Sequence, residues 1–376
     1  MSAETRSSAR PGGRAAVRTV VAKIGSSSLT DDAGVIDVAM IERVCRQVAV
    51  LRADGCDVLV VTSAAVASGV RALGFEKRPS DLLTLQAVSA VGQSRLMHHW
   101  DTALATHSLV SGQVLLTPND FFDRRQYLHA RATLQRLLEL GVVPVINEND
   151  AIAGDEIRFG DNDRIAALVA HLVGADVLVL LTDTAGLFTG NPRTDANATL
   201  IEHLDEVSSD IEALASGAGS ARGSGGMLSK VRAAKIASWS GVRAVIAGSR
   251  GDNALLDAVA GSPGCGTTVT AHDRRLSARK LWIAFAGDSV GHVSVDAGAE
   301  RALRERGVSL LPAGVVAVSG EFEAGDLIEI VGPSGLAFAR GMARLDSGAV
   351  DAAKGRRSDA TDGSVVVHRD DLAVLP

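Results

Sequence analysis

Short apolar runs alternate with longer amphipathic segments up to about residue 270 of the 376-residue chain. The apolar runs are rich in Val, Ile and Leu, and they predict buried strands at residues 17–24, 58–62, 109–117, 142–146, 177–181 and 242–246. The spacing of apolar positions predicts helices at residues 36–53, 81–105, 124–140, 163–173, 210–215 and 227–240. This alternation is typical of the α/β class, with an open, mainly parallel sheet sandwiched by helices.

The pattern changes near Ala271. Residues 271–280 are charged and show no periodicity, which indicates a linker. Beyond them the predicted strands are short, and turn pairs such as Ser319-Gly320 and Gly332-Pro333 are frequent. We therefore expect a disordered tail at residues 1–16, an α/β domain at residues 17–272 and a small β-rich domain at residues 279–376.

The amino-acid composition indicates how the core packs and which kinds of partner are not expected. Hydrophobic residues make up 46% of the chain and aromatic residues only 3%, which suits the packing of small aliphatic side chains in a parallel α/β core. The net charge of -6 gives no reason to expect nucleic-acid binding. No apolar run reaches the roughly 20 residues of a membrane span. Cys45, Cys56 and Cys265 lie far apart, as expected for core residues in a reducing compartment, so we expect a cytoplasmic protein that binds no membrane.

A dense group of polar residues follows the predicted strand at residues 142–146. Other loops rich in Gly, Ser, Thr or Asp follow Ile24, Thr62 and Leu181, or precede Met227. In an open α/β sheet such loops gather along the carboxyl edge of the strands and form one crevice. For the first loop alone, a solvated surface loop with a helix cap remains the alternative. Its carboxylates and amides are Asn147, Glu148, Asn149, Asp150, Asp155, Glu156, Asp161, Asn162 and Asp163.

Two of the few lysines stand where phosphate binding is expected. Lys23 lies within the first predicted strand, and Lys230 begins a helix just after Gly225-Gly226. An ammonium group is a compact cation suited to a phosphoryl oxygen, and the free amides of a helix N-terminus add to the charge of Lys230. The alternatives are an edge-strand lysine that reaches solvent and a surface position on a helix. Two lysines and carboxylates in one crevice fit phosphoryl transfer.

The sequence lacks the motifs of two common nucleotide-binding classes. It contains no Walker A motif, and no G-x-G-x-x-G follows the first strand, which argues against a P-loop NTPase and a standard Rossmann dehydrogenase. Backbone amides of Gly25-Ser26-Ser27 and of the Gly225-Gly226 turn remain available to cradle phosphate. The histidines show no metal-ligand spacing, so no protein-held metal site is predicted.

Several segments, taken in chain order, carry a resemblance to a known family. They are VAKIGSSSL (21–29), VVTSAAVASG (60–69), AVGQSRLM (90–97), QVLLT (113–117), VPVINENDAI (143–152), FGDND (159–163), LLTDTAGLFTGNPR (180–193) and SGGMLSK (224–230). Together they resemble the amino acid kinase family, and within it the glutamate 5-kinases. The segment SVVVHRDDL (364–372) resembles the end of the PUA domain that many of these enzymes carry.

The resemblance implies the amino acid kinase fold with a C-terminal PUA-like domain. It implies transfer of the γ-phosphoryl group of ATP to the γ-carboxylate of L-glutamate, which begins proline biosynthesis. It further implies proline as a feedback inhibitor, glutamyl phosphate reductase as a partner and a homo-oligomer. Mg²⁺ is expected on the phosphates of ATP, with no metal site on the protein. No general base is needed, because the glutamate carboxylate is already ionised at neutral pH.

The resemblance also implies roles for particular residues. Lys23 would contact the transferring phosphoryl group, Lys230 would stabilise charge on the nucleotide side, and Asp161 would hold both lysines by ion pairing. Glutamate would be bound by Ser63, Asp150 and Asn162. The nucleotide would be bound by Lys23, Gly25, Ser26, Thr182, Asp183, Ser224, Gly225, Gly226, Met227, Leu228, Ser229 and Lys230.

One departure from the family pattern bears on the glutamate pocket. Ala64 stands where the family has a glycine that lets the backbone approach substrate closely. The alternatives within the family are kinases acting on N-acetylglutamate, aspartate or a nucleotide, against which the NEND loop and the PUA-like tail argue. Outside it, an RNA-binding PUA protein and an inactive scaffold are the alternatives. Residues 279–376 contain eleven Lys and Arg against fourteen Asp and Glu, a net charge of -3 that argues against RNA binding.

Overall fold

The computed structural model describes residues 17–31, 34–121, 123–152, 162–192, 194–217, 226–273, 276–285, 289–356 and 364–375. The chain divides into two compact units. One consists of residues up to Thr117 together with His129–Ala271, and the other of Pro118–Leu128 together with the residues from His272 onward. The predicted tail at residues 1–16 lies outside the described residues.

The first unit is built on a sheet of eight strands. These are β1 Thr19–Ile24, β2 Asp57–Val61, β3 Ser111–Leu116, β4 Val143–Glu148, β5 Val177–Thr182, β6 His203–Leu204, β7 Arg243–Gly248 and β8 Thr267–Val269. Their order across the sheet is β3-β4-β2-β1-β5-β7-β8-β6. The described strand pairs are parallel except β7 with β8, which are antiparallel. The predicted mainly parallel sheet is thus confirmed.

Helices connect these strands. They are α1 Ser26–Leu29, α2 Val38–Ala53, α3 Ala65–Ala72, α4 Leu82–Ala105, α5 Arg124–Glu139, α6 Asn162–Val173, α7 Ser209–Gly217, α8 Met227–Trp239 and α9 Ala254–Ala260. Asp37 caps α2 by accepting from the amide of Met40, and Asp81 caps α4 by accepting from Thr84. The pattern of apolar positions had not predicted α3 or α9.

Alternation along β1 assigns its side chains to two faces of the sheet. Val20, Ala22 and Ile24 belong to the apolar core that also contains buried residues of α2, α4 and α9. Lys23 has the opposite parity and therefore lies on the other face, where α6 packs against β1 and α8 packs against α6. The fold thus brings Lys23 to the two helices that carry Asp163 and Lys230.

The second unit contains a separate sheet of five strands. These are β9 Gly291–Val295, β10 Val315–Ser319, β11 Leu327–Val331, β12 Ala337–Ala343 and β13 Val367–Val374, in the order β10-β9-β11-β12-β13. Its own apolar core includes Val293, Leu303, Ile328, Ile330 and Phe338. Three helices accompany the sheet: α10 Ala278–Phe285, α11 Ala297–Arg306 and α12 Ser347–Ala353. The small β-rich domain is confirmed, although α10 begins inside the stretch expected to be a linker.

None of the helices that the structure describes is both long and apolar enough to cross a lipid bilayer.

Candidate active site

The polar loops predicted to form one crevice follow strands that are neighbours in the sheet. The order β4-β2-β1-β5-β7 is continuous, and all five strands run parallel. Their carboxyl ends therefore lie at one edge. There the chain continues into Gly25, Ser63, Asn149, Asp183 and Ser249.

Lys23 and Lys230 meet at a single carboxylate, that of Asp163. Lys23 Nζ lies 2.6 Å from Asp163 Oδ1, and Lys230 Nζ lies 3.2 Å from Asp163 Oδ2. The hydroxyl of Ser229 donates to Oδ2 over 3.0 Å. Both lysines are 4% exposed and Asp163 is 1% exposed, so these charges are held away from bulk water. Burial alone would raise the pKa of Asp163, but the two ammonium groups outweigh it and hold the pKa below its ordinary value.

Among the described residues, the carboxylate that pairs with both lysines is that of Asp163, the second residue of α6. The sequence prediction names Asp161 for this role. Asp161 itself lies outside the described residues. Asn162 lies between them in sequence, and its Oδ1 accepts from the backbone amide of Glu148 over 3.0 Å at the end of β4. In the first turn of α6 one residue is therefore turned toward β4 and the next toward β1.

Gly25 lies directly beside the ammonium group of Lys23. A Cβ atom at this position would be 3.4 Å from Lys23 Nζ. Backbone is therefore close to the ammonium group, and no side chain of residue 25 takes the space between them. Ser26 follows as the first residue of α1, and the amide of Ser28 donates to the carbonyl of Gly25 over 3.0 Å, which closes the turn.

The N-terminus of α8 begins at Gly226, next to Lys230. Gly226 has an extended backbone, and no side-chain hydrogen bond of the described residues caps the helix. A Cβ on Gly226 would have no described atom within 4 Å, so this turn borders open space. Met227, Leu228 and Ser229 form the first turn. Free amides at a helix start, together with a buried ammonium group, are suited to an anion.

The predicted nucleotide-binding residues of β5 lie at the same edge. Thr182 is 3% exposed, and its hydroxyl donates to Asp183 Oδ1 over 3.2 Å. The carbonyl of Thr182 accepts from the amide of Ser249 over 2.7 Å, and Ser249 Oγ donates to Ser28 Oγ over 2.9 Å. Ser249 and Ser28 join the ends of β7, β5 and β1, and sequence reasoning had not selected them. Two further predicted residues, Ser224 and Gly225, lie outside the described residues.

Asp150 is a buried carboxyl group with only one of its oxygens occupied. It is 6% exposed, and Ser89 Oγ on α4 donates to its Oδ2 over 3.0 Å. Its Oδ1 has no hydrogen-bond partner among the described residues. Burial raises the pKa of Asp150 to about 6, against smaller opposing contributions from Ser89 and the charge of Arg78. A buried acceptor in this state is suited to a cationic donor such as an ammonium group.

Ala64 adopts the backbone conformation that a glycine would take most easily. Its φ is 81° and its ψ is 11°, in the left-handed region, and it stands at the N-cap of α3 directly after Ser63. The residue is buried and belongs to the apolar core of this unit. The chain thus keeps the tight turn after β2 in spite of the added methyl group, at a cost of about 1–2 kcal/mol for a non-glycine residue there.

Helix α4 supplies two polar contacts to the β4 end that the residue-by-residue analysis did not select. Ser89 binds Asp150, and Gln93 Oε1 accepts from Asn147 Nδ2 over 2.8 Å. Gln93 lies within the motif AVGQSRLM, so a signal was present in the sequence, but no chemistry distinguished it from a helix-packing motif. Trp100, further along α4, donates through its indole N–H to the hydroxyl of Thr62 over 3.0 Å.

Comparison with known proteins agrees with the motifs. The model of the amino acid kinase family matches residues 18–248, and the model of the PUA domain matches residues 291–365. The chain is 44% identical over 369 residues to glutamate 5-kinase of Burkholderia ambifaria, covering 95% of this chain and 98% of that protein. It is also 44% identical over 365 residues to glutamate 5-kinase of Moorella thermoacetica, with 95% and 96% covered.

Among solved structures, carbamate kinase from Giardia lamblia is similar with a TM-score of 0.49 and 17% sequence identity, covering 68% of this chain and 99% of that one.

Proposed function

The chain belongs to the amino acid kinase family, and from this premise we propose that it transfers the γ-phosphoryl group of ATP to the γ-carboxylate of L-glutamate. The products are ADP and L-glutamyl 5-phosphate, the first intermediate of proline biosynthesis. The proposal is supported by the glutamate 5-kinases that are 44% identical over almost the whole chain. The single structural observation that carries it is the convergence of Lys23 and Lys230 on Asp163.

The lysine pair fits the charge changes of this reaction. A carboxylate oxygen of glutamate forms a bond to the γ-phosphorus while the bond between that phosphorus and the β,γ-bridging oxygen breaks, and the electron pair leaves with ADP. Lys23 would contact the transferring group, and Lys230 would stabilise the charge that grows on the nucleotide side. Asp163 would fix the two ammonium groups relative to each other. No proton has to be removed from the nucleophile, because a carboxylic acid side chain is ionised at neutral pH.

Backbone and hydroxyl groups at the same edge would hold the nucleotide. The turn at Gly25 and Ser26 and the start of α8 at Gly226 offer amides to the phosphates. Thr182 and Asp183, with Met227, Leu228 and Ser229, would line the rest of the site, as would Ser224 and Gly225.

Mg²⁺ is assigned to the phosphates of ATP in this proposal. Among the described residues, no group of three His, Cys, Asp or Glu side chains is arranged to hold a metal ion. Mg²⁺ commonly binds through substrate phosphates with few protein ligands, and there it neutralises phosphate charge.

Glutamate would lie between the lysine pair and α4. Ser63 at the end of β2, Asn162 at the start of α6 and Asp150 after β4 would bind it, with Asp150 Oδ1 accepting from the α-ammonium group. Proline as feedback inhibitor, glutamyl phosphate reductase as partner and a homo-oligomeric state remain predictions from the family resemblance. A cytoplasmic location remains a prediction from the cysteine pattern.

The proposal is tested by glutamate-dependent formation of ADP and of the hydroxamate that hydroxylamine makes from an acyl phosphate. We expect Lys230→Ala to lower kcat by about 10²- to 10³-fold, since removing one preorganised donor from a charged transition state has an effect of this size. Lys235→Ala is the matched control, because Lys235 lies on the same helix but pairs with Glu212. A wild-type chain without glutamate-dependent turnover contradicts the proposed function. A Lys230→Ala enzyme as active as Lys235→Ala contradicts the role of Lys230.

A further inference from the structure

A small network of buried amides surrounds the backbone N–H of Glu148. This N–H donates to Asn147 Oδ1 over 2.9 Å and to Asn162 Oδ1 over 3.0 Å. On its other side, Asn147 donates through Nδ2 to Gln93 Oε1 over 2.8 Å. Gln93 is 7% exposed, and the two asparagines are 3% exposed or less.

The network fixes the orientation of the Gln93 amide. A backbone N–H can only donate, so Asn147 must present its oxygen to Glu148 and its NH₂ group to Gln93. Gln93 must accept the hydrogen bond from that NH₂ group with its own side-chain oxygen, Oε1. Its Nε2, with two N–H groups, therefore points away from Asn147.

Gln93 Nε2 is a buried donor that has no hydrogen-bond partner among the described residues. A buried polar group left in this state is unfavourable, so a partner supplied by a ligand would stabilise it. Asp150 Oδ1 is a buried acceptor in the same state. Ser89, which holds the other oxygen of Asp150, lies four residues before Gln93 on α4, so both side chains project from the same face of that helix.

The unpaired donor of Gln93 and the unpaired acceptor of Asp150, whose other oxygen is held by Ser89 one helical turn from Gln93, complement the two groups on the α-carbon of an amino acid. The ammonium group supplies N–H donors, and the α-carboxylate supplies acceptors. We propose that Gln93 Nε2 donates a hydrogen bond to the α-carboxylate of the substrate, beside the contact of its ammonium group with Asp150. The inference rests on the proposed function, in which the γ-carboxylate is directed to the phosphoryl group at Lys23.

Gln93 then recognises the end of the substrate that does not react. This contact selects ligands that carry a second carboxylate over ligands of the same length that lack it. It also gives a role to two polar side chains of α4: Ser89 holds one oxygen of Asp150, and Gln93 is oriented by Asn147.

The test compares three ligands and four proteins. The ligands are L-glutamate, glutarate, which lacks the α-ammonium group, and 4-aminobutanoate, which lacks the α-carboxylate. Their dissociation constants are measured by titration calorimetry or by ligand-induced thermal stabilisation, so that the result does not depend on turnover. The proteins are the wild type, Gln93→Met, Gln93→Glu and Gln47→Met.

We expect Gln93→Met to weaken glutamate and glutarate by about 10- to 100-fold, the range for a hydrogen bond to a charged group. The affinity for 4-aminobutanoate should stay within about threefold, since this ligand has nothing for Gln93 to bind. Gln93→Glu keeps an oxygen for Asn147 but replaces the donor by an acceptor, so it should give the same pattern with a larger loss.

Gln47→Met is the control for removing a buried glutamine. Gln47 is 1% exposed on α2, and its amide is satisfied by the carbonyl of Arg43 and the amide of Leu255. This variant should lower the melting temperature and leave the ligand ratios unchanged.

An equal loss of all three ligands in Gln93→Met would show a structural role only and overturn the inference, as would no loss of any. Wild-type binding of glutamate with the expected ligand pattern but without phosphorylation would refute the proposed function and leave the inference standing. A wild type that neither binds nor phosphorylates glutamate would refute both.

Discussion

Asp150 has the properties expected of a binding residue, and its burial lowers the stability of the folded protein when its carboxyl group is ionised. Its carboxyl group is buried, one oxygen accepts from Ser89, and burial raises its pKa to about 6 from the ordinary 3.8. Above that pH the group must be charged in a site where only part of its hydration is replaced. The proposed binding site is therefore least stable when it is empty and Asp150 is ionised, which is the form that a substrate ammonium group would meet.

The sign of this effect on stability follows from the direction of the shift. A raised pKa means that the folded state holds the proton more tightly, so the stability from this group is complete below pH 3.8 and is lost as pH rises through about 6. We expect Asp150→Asn to increase the free energy of unfolding of the ligand-free protein by about 2–3 kcal/mol at pH 8 and by less than about 1 kcal/mol at pH 4. Urea unfolding at the two pH values measures this difference. The exposed Asp210→Asn is the control, and an Asp150→Asn gain that is equal at both pH values would contradict the shift.

The choice between Asp161 and Asp163 marks the limit of sequence reasoning at this scale. Both lie in the segment GDND, and both are acidic residues close to a helix start. Asp161 lies outside the described residues, whereas Asp163 is in the first turn of α6 and pairs with both lysines. The motif predicts that a carboxylate pairs with the lysines, but the packing of α6 against β1 positions Asp163 for this role, and that packing depends on residues far from the motif.

Helices α3 and α4 touch through their backbones at two glycines. A Cβ on Gly92 would lie 1.8 Å from the carbonyl oxygen of Ala65, and a Cβ on Gly69 would lie 1.9 Å from that of Val88. Both positions therefore require glycine for close approach rather than for a special backbone angle. The crossing fixes α4, which carries Gln93 and Ser89, relative to the start of α3, which follows Ser63.

This crossing is sensitive to a single methyl group. Gly92→Ala should lower the free energy of unfolding by about 1–3 kcal/mol or more, because backbone cannot move aside as a flexible side chain can. The same change should weaken glutamate binding, since the two helices carry proposed contacts from both sides. Ser94→Ala, at an exposed position of α4, is the control and should change stability by no more than about 0.5 kcal/mol. Denaturant unfolding and glutamate titration of both variants give the comparison, and a Gly92→Ala protein as stable as Ser94→Ala would contradict the close contact.

At the scale of elements, the sequence predicted the strands and helices that are long enough to show a clear apolar pattern. Buried strands such as β1, β4 and β5 are long apolar runs, and each was predicted close to its observed position. Helix α3 was missed because it has only eight residues, fewer than the window over which periodicity distinguishes a helix from other apolar segments. The antiparallel strand β8 was missed because it has only three residues, and its pairing with β7 depends on partners distant in sequence.

For the whole molecule, the second unit has a core and a sheet of its own. This unit matches the model of the PUA domain, and an RNA-binding PUA protein is one of the alternatives considered from the sequence. RNA affinity depends on cations that can replace counterions along the phosphate backbone. In this unit several cations are already paired: Arg279 and Arg344 with Asp371, Arg340 with Glu329, Arg304 with Glu300 and Lys354 with Asp351.

These ion pairs strengthen the argument against RNA binding that is based on net charge. Residues 279–376 carry eleven Lys and Arg against fourteen Asp and Glu, a net charge of -3, and the whole chain carries -6. To bind RNA, the paired arginines Arg279, Arg304, Arg340 and Arg344 would have to exchange intramolecular carboxylates for phosphates, with little gain from counterion release. Arg344 and Arg279 share a carboxylate that their charges keep ionised, since they hold the pKa of Asp371 below its ordinary value against the opposing effect of burial.

We therefore expect the full-length protein to show no RNA binding that depends steeply on salt. Gel shift or fluorescence anisotropy with a structured RNA and with a single-stranded RNA, at 50 mM and at 200 mM salt, measures it. An electrostatic complex through several phosphates would weaken by orders of magnitude between these two salt concentrations. The double variant Glu300→Gln, Glu329→Gln removes the carboxylate partners of Arg304 and Arg340 and raises the net charge of the unit by two. Any latent affinity should therefore appear there before it appears in the wild type. Tight, salt-sensitive binding by the wild type would contradict the charge argument and would assign the second unit a nucleic-acid partner.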